Sequence, residues 1–290
     1  MKPLILIIIF TVFASFYLTK YIPATKLKIP PGTVLIKDSL FIDRTEISNQ
    51  AWKEFTNQWL LNHERDTDLY NQMLPDSTVW LSMKADGKLY MYEYFQTSTF
   101  DDYPVVGITY EQAVAFCKWR TDQVNAMLER NNNIGIREVE YRLPTEKEWE
   151  RAAQGKTNPD SFPHGQDPFF KIKDEEYKSF NCYYPEIDSA SWIEGKIAKV
   201  DFSPANLYGI SNMMGNVAEM VTEKGLAKGG DYDVPLKYCT VKEKFSYSGS
   251  NRWLGFRCVC LVNKIYDPKK PPESGFKKEK KIKERGFIKP

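Results

Sequence analysis

Histidine is nearly absent from this 290-residue chain, with only His63 and His164, and cysteine is sparse, at five. The spacing Cys258-Val-Cys260 is too short for a zinc knuckle, so these residues give no structural zinc set. Two histidines about a hundred residues apart give a Ser-His-Asp triad no support. Glu146 and Glu148 do not share a helical face, so they are no glycosidase pair. No cysteine precedes Cys117, which excludes a lipid-modified N-terminal cysteine. An excess of charge of either sign is also missing. Forty Lys and Arg stand against 38 Asp and Glu, a net +2, so no global field marks a nucleic-acid binder. There is no internal repeat. The longest apolar run, Leu4 to Leu18, falls short of the roughly 20 residues a spanning helix needs.

What is present is an aromatic-rich chain, 42% hydrophobic and 14% aromatic, able to bury a sizeable core. Lys2 and the apolar run make residues 1–22 a signal or membrane anchor. The best cleavage site, Ile22-Pro-Ala24, is poor, which favours an uncleaved anchor over a secreted form. A linker follows at 23–30, a folded domain at 31–266 and a basic flexible tail at 267–290. From Lys269 onward nine Lys and Arg face three acidic residues, giving the tail +6 and the rest −4. Such a tail is a solvated extension or a docking arm for an acidic partner or an anionic membrane surface. Five cysteines accord with an oxidising compartment, and an odd number leaves one over.

Within the domain, Thr33–Ile36 and Leu40–Ile42 around a Lys-Asp-Ser turn predict a hairpin. Ser48 predicts an N-cap for a helix with Trp52, Phe55 and Trp59 on one face. Residues 62–100 read as a polar, irregular insertion. Thr109-x-x-Gln112 predicts a capping box and a helix from Tyr110 to about Arg130, with Ala113, Phe116, Cys117, Val124 and Leu128 inward. Thr145 with Glu148 predicts another capped helix. From Gly155 onward helical periodicity fades, so that half is expected to be loop-rich and to need metal ions or disulfides besides its core.

Three phrases occur in order: Tyr141-Arg-Leu-Pro-Thr-Glu-Lys-Glu-Trp-Glu-Arg-Ala-Ala153, Asn206-Leu-Tyr-Gly-Ile-Ser-Asn-Met-Met-Gly-Asn-Val-Ala-Glu219 and Gly255-Phe-Arg-Cys258. In them the chain resembles the formylglycine-generating enzyme (sulfatase-modifying factor) family over about residues 31–262. Pro31-Gly-Thr, Thr45-Glu-Ile-Ser-Asn and Phe162-Pro-His-Gly165 extend the likeness. The resemblance implies an α+β fold related to C-type lectins, with few helices and short antiparallel strands. Cys117-Lys-Trp-Arg-Thr-Asp-Gln-Val-Asn125 with Val139-Glu-Tyr narrows it to proteins like the gliding-motility and type IX secretion proteins of Bacteroidetes.

The departures matter most. The family's oxidases hold monovalent copper between two thiols, as soft sulfur selects soft metal. Here Lys228-Gly-Gly-Asp-Tyr-Asp-Val-Pro-Leu-Lys-Tyr-Cys239 aligns with that segment. The first thiol falls on Val234, Asp231 replaces the serine, and Cys239 alone remains, so no copper is expected. The resemblance also implies a Cys117–Cys258 disulfide. It implies a structural calcium held by the Asn212 side chain, the Gly215 and Val217 carbonyls and Glu219, with a bare capped turn and a Glu219 salt bridge as the alternative. A second calcium would begin at Asn181. Asp231, Tyr232, Asp233, Tyr238 and Trp253 mark the family's peptide groove, expected here to hold a partner protein.

These readings lead to a non-catalytic scaffold or binding module on the periplasmic side of the inner membrane. It would be anchored by its N-terminus and would bind other envelope proteins rather than nucleic acid. The alternatives are an atypical oxidase converting a substrate cysteine to formylglycine and a calcium-dependent glycan-binding module.

Overall fold

Local signals set the N-terminal elements. The structure, a computed structural model, describes residues 29–130, 135–155, 171–172, 175–176, 180–184 and 196–265. The anchor at 1–22, most of the linker, His164 and the tail at 267–290 lie outside them. The hairpin forms as predicted, from β1 (Thr33–Lys37) and β2 (Leu40–Asp43), with Val34 opposite Ile42. Helix α1 (Asn49–Asn62) starts at Ser48, whose side chain accepts from the Ala51 N–H. Short helices α2 (Thr67–Asn71) and α3 (Gly87–Glu93) follow, then the long α4 (Tyr110–Arg130). The box at the start of α4 is closed in both directions. Gln112 Oε1 accepts from the Thr109 N–H at 2.7 Å, and Thr109 Oγ1 from the Gln112 N–H at 3.2 Å. Strand β3 (Ile136–Arg142) precedes α5 (Glu146–Gln154), where Thr145 and Glu148 form the predicted box.

The remaining elements are short. They are the pair β4 (Lys171–Ile172) and β5 (Glu175–Glu176), then β6 (Ala218–Met220), β7 (Leu226–Lys228), β8 (Phe245–Ser246), β9 (Leu254–Gly255) and the longer β10 (Val259–Ile265). One sheet runs β1-β2-β10-β3, antiparallel throughout, and another runs β8-β7-β6-β9, in which β6 and β9 pair in parallel. The fold is therefore mixed α and β with few helices and short, mostly antiparallel strands.

Helix α4 covers the edge of the first sheet. Thr121 Oγ1 accepts from the Tyr141 N–H at 2.8 Å, and the Asn125 amide bonds both the N–H and the carbonyl of Val139 at 2.9 Å. These side chains satisfy strand groups that would otherwise offer an open edge. Beneath them lies the main core. Trp52 stacks on Phe116 at 5.5 Å, and Phe116 meets Phe256 edge-on at 5.5 Å. Phe55, Cys117 and Leu128 complete it, as the helical spacing predicted, while Val124 is only half-buried.

The insertion departs from its prediction. Residues 62–100 are not irregular: besides α2 and α3 they hold 3-10 helices at Ser77–Ser82 and Ser98–Phe100. Asp66 and Asp76 cap the starts of α2 and the first 3-10 helix. Its scattered aromatics stack on one another, Trp80 on Tyr90 at 4.7 Å and Trp80 against Tyr94 at 4.6 Å. Asn49 of α1 donates to the carbonyls of Tyr94 and Phe100, pinning the insertion to the domain. Aromatic packing across distant positions supplied the order that local polarity hid.

Candidate functional site

The loops after α5 converge on two buried centres. The first is ionic. Arg257, fully buried, grips the buried Glu219 in a fork: Nε donates to Oε2 and Nη2 to Oε1, both at 2.6 Å. The Trp149 indole N–H donates to Glu219 Oε2 at 2.7 Å. Arg257 also donates to the carbonyls of Asp43 and Ser211. Beside it, Glu46 accepts from the side-chain amides of Asn212 at 3.1 Å and Asn216 at 2.9 Å. Burial, opposed by Arg257 and reinforced by Glu219, pushes the Glu46 carboxyl up to about 8. Asn212 and Asn216 both take left-handed backbone conformations, φ +54 and +61, which asparagine tolerates better than other non-glycine residues.

This arrangement does not fit the predicted calcium. Both Glu219 oxygens are committed, and a guanidinium already supplies the positive charge a cation would bring. Asn212 Oδ1 accepts from the Ser203 N–H at 2.9 Å, so it too is engaged. Glu219 is thus the salt-bridged residue of the alternative reading, with Gly215 (φ +74) and Val217 forming the turn before it. The Asn181 amide donates to the Lys196 carbonyl and to Asn216 Oδ1, tying its loop to the first centre. No cluster of three or more His, Cys, Asp or Glu is placed to hold a metal among the described residues. Glu46, Trp149, Asn216 and Arg257 are members of this network that the sequence reading quoted within motifs and did not assign to a site.

The second centre is built on sulfur. Strand β7 ends at Lys228, whose buried ammonium donates to Glu150 at 3.0 Å and Glu146 at 3.4 Å of α5. The chain then turns through Gly229 and Gly230, φ +95 and +72. A side chain at Gly230 would meet Cys239 Sγ at 2.7 Å, so only glycine leaves that sulfur its place. Asp231 is buried. Its Oδ1 accepts from the Asp233 N–H at 2.8 Å, and burial, only partly offset by that bond, pushes its carboxyl up to about 7. Val234 packs against a small cluster of Phe180, Cys182, Tyr184, Met214, Leu236 and Cys239.

Cys239 therefore has a sulfur neighbour after all. Its Sγ lies 3.4 Å from that of Cys182, so the lone-thiol expectation is corrected. The neighbour comes from a different loop, 57 positions earlier in the chain, not from position 234, where the resemblance implies it. Contact with the Cys182 thiol and burial push Cys239 well above its ordinary thiol range. Setting Cys117 and Cys258 aside leaves three cysteines, and that arithmetic was the sequence signal for Cys182. Cys117 and Cys258 are brought together, sulfurs 3.5 Å apart, in contact and not bonded. Cys260 shares a strand face with Cys258 in the main core, and burial pushes its thiol up to about 12.

The predicted peptide groove is largely filled. Tyr232 is buried at 1% exposure, with its hydroxyl 2.7 Å from Arg252 Nη1. Asp233 pairs with the same guanidinium at 3.0 Å, and Arg252 Nε donates to Ser82 of the insertion. Trp253 is half-buried between two cores. Of the five groove residues only Tyr238 stands exposed, at 46%. Alternation along an irregular loop gave no clue to which side faced inward. Two surface hollows of about 330 and 450 Å³ flank α4 instead, and none of these five residues lines either.

The profile of the family described as sulfatase-modifying factor enzyme 1-like domain matches residues 14–262. The formylglycine-generating enzyme of Bos taurus is 25% identical over 277 residues, covering 79% of this chain and 67% of that protein. The "Inactive C-alpha-formylglycine-generating enzyme 2" of Bos taurus is 28% identical over 134 residues, covering 46% of this chain and 37% of that protein. Among solved structures, that of CarF aligns with a TM-score of 0.50 at 18% identity, covering 77% of this chain and 87% of that one, a likeness of fold.

Proposed function

This chain belongs to the sulfatase-modifying factor enzyme 1-like family, and on that premise we propose that it is a non-catalytic scaffold module of a cell-envelope complex. The family's named relatives include both formylglycine-generating enzymes and an inactive counterpart, so membership alone does not decide for chemistry. The observation that carries the reading is Val234 in the place of a required thiol, next to a closed sulfur pocket. Cys239 is fully covered and Cys182 is 4% exposed, so a substrate thiol has no line of approach to either as folded. Arg252 already occupies the acidic side chain of Asp233 that a basic peptide would seek.

A scaffold needs a face to offer. Outward side chains of the insertion, Leu81, Leu89 and Tyr92, are at least half exposed, and Tyr238 stands out from the former groove. These apolar groups support docking of envelope proteins through the insertion face, with residues 1–22 as the membrane tether on the periplasmic side and the basic tail at 267–290 as an arm. The gliding and type IX secretion machines are the setting that the subgroup motif suggests. No helix among the described residues is long and apolar enough to cross a membrane.

The test is crosslinking and capture of the full chain from native membranes, comparing wild type with a Leu81→Asp/Leu89→Asp variant that folds equally well. Stable envelope partners lost in the variant are expected. Capture unchanged by the variant would overturn the docking face.

A second reading rests on the Cys182–Cys239 contact: an atypical oxidase that recruits Cys182 in place of the missing thiol. It requires monovalent copper bound between the two sulfurs, abolished by either Cys182→Ser or Cys239→Ser.

A further inference from the structure

We infer that Cys182 and Cys239 form a covalent cross-link, a disulfide joining two loops across the second centre. The backbone first sets those loops side by side. Tyr183 and Pro235 form an isolated parallel bridge, in which the Tyr183 N–H donates to the Val234 carbonyl at 3.0 Å and the Leu236 N–H to the Tyr183 carbonyl at 2.9 Å. Cys182 precedes this bridge and Cys239 closes the 3-10 turn that follows it, so the sulfurs meet because two hydrogen bonds hold the chains in register. Each sulfur also has a glycine standing aside for it. A Cβ at Gly215 would lie 2.4 Å from Cys182 Sγ, and one at Gly230 would lie 2.7 Å from Cys239 Sγ. Sulfurs in contact at 3.4 Å lie within about 1.4 Å of the bonded distance of about 2.05 Å.

The pocket also argues against other uses of the pair. Its walls are apolar: Phe180, Tyr184, Met214, Leu236 and the Val234 side chain. A thiolate is disfavoured there, so the folded, reduced pair is a weak nucleophile and a weak metal ligand. The bond must therefore form while the loops still admit a reagent, during folding. The oxidant is a disulfide-bearing exchange catalyst. A Cys239 thiolate attacks one catalyst sulfur and expels the other as a thiolate; the Cys182 thiolate then attacks the mixed disulfide. Two cysteine thiols are oxidised, the catalyst disulfide is reduced to two thiols, and the two protons pass to them. Cys117 and Cys258 are also in contact, so Cys260 is the one cysteine for which no sulfur neighbour is seen among the described residues.

This inference does not rest on the non-catalytic reading, and its failure would leave that reading to its own test. The experiment is peptide mapping of the full chain, exported to an oxidising compartment, alkylated without reductant and cut with trypsin. The expected product is the peptide 179–196 linked to 238–242, lighter by two hydrogens than the separate pair and released by reductant. Full alkylation of both cysteines without reductant, or a link from Cys239 to a different cysteine, would overturn the assignment. Because the map is read on the wild-type protein, it does not depend on any variant folding.

Discussion

The helical part of this domain and its loop-rich part are held together by different forces. Around α1 and α4 the interior is an aromatic cluster of Trp52, Phe55, Phe116 and Phe256, packed by area and shape. Around β6 and β9 the interior contains ionisable groups: Glu46, Glu219, Lys228 and Arg257 are all buried, and each has a named partner. The first part needs apolar residues at the right period. The second needs specific pairs, so a single loss there strands a charge. Segments with too little regular structure to satisfy their own backbone have here recruited buried side chains to do it.

The largest expected effect tests that contrast. Arg257→Ala leaves Glu219 buried and unpaired and should cost about 3–5 kcal/mol, read by urea unfolding. A loss below about 1 kcal/mol would mean the pair behaves like a surface bridge and the comparison fails. In the helical part, Leu128→Ala in the last turn of α4 should cost about 2–3 kcal/mol through its cavity. It should leave the pH dependence of stability unchanged.

The loop-rich part should respond to pH. Asp231 and Glu46 have folded-state carboxyls raised to about 7 and about 8 from ordinary values of 3.8 and 4.5. The folded protein therefore binds more protons than the unfolded chain across those windows, and the contribution of these groups to stability falls as pH rises through them. Asp231→Asn keeps an oxygen for the Asp233 N–H and removes the charge. It should gain about 1–2 kcal/mol at pH 8 relative to pH 5, seen as a flatter dependence of melting temperature on pH. An unchanged slope would show that Asp231 is solvated when folded. The smallest effect is local: Thr145→Ala opens the α5 capping box and should cost about 1 kcal/mol.

The same contrast explains what could be read in the sequence. The hairpin and helices α1, α4 and α5 with their caps were legible because their signals lie within a few residues, as with Thr109 and Gln112 or Thr145 and Glu148. The order inside 62–100 was not, since Trp80 and Tyr94 find their partners only in the folded chain. At the site, the resemblance implies a thiol where Val234 stands, a departure read from the motif. The burial of Asp231 and Tyr232 was not, because an irregular loop has no period from which to infer its inward face. Glu46 reaches Asn212 across 166 positions and Cys182 reaches Cys239 across 57, pairings that no local pattern encodes.

The central claim, that this member of the family performs no thiol oxidation, is tested most directly on a peptide. The purified full chain, supplied with monovalent copper and oxygen, is incubated with a cysteine-containing peptide alongside an active formylglycine-generating enzyme, and the product is scored for aldehyde by mass spectrometry. The account predicts aldehyde with the active enzyme and unmodified cysteine with this protein. Aldehyde formed by this protein and lost in Cys239→Ser would contradict it.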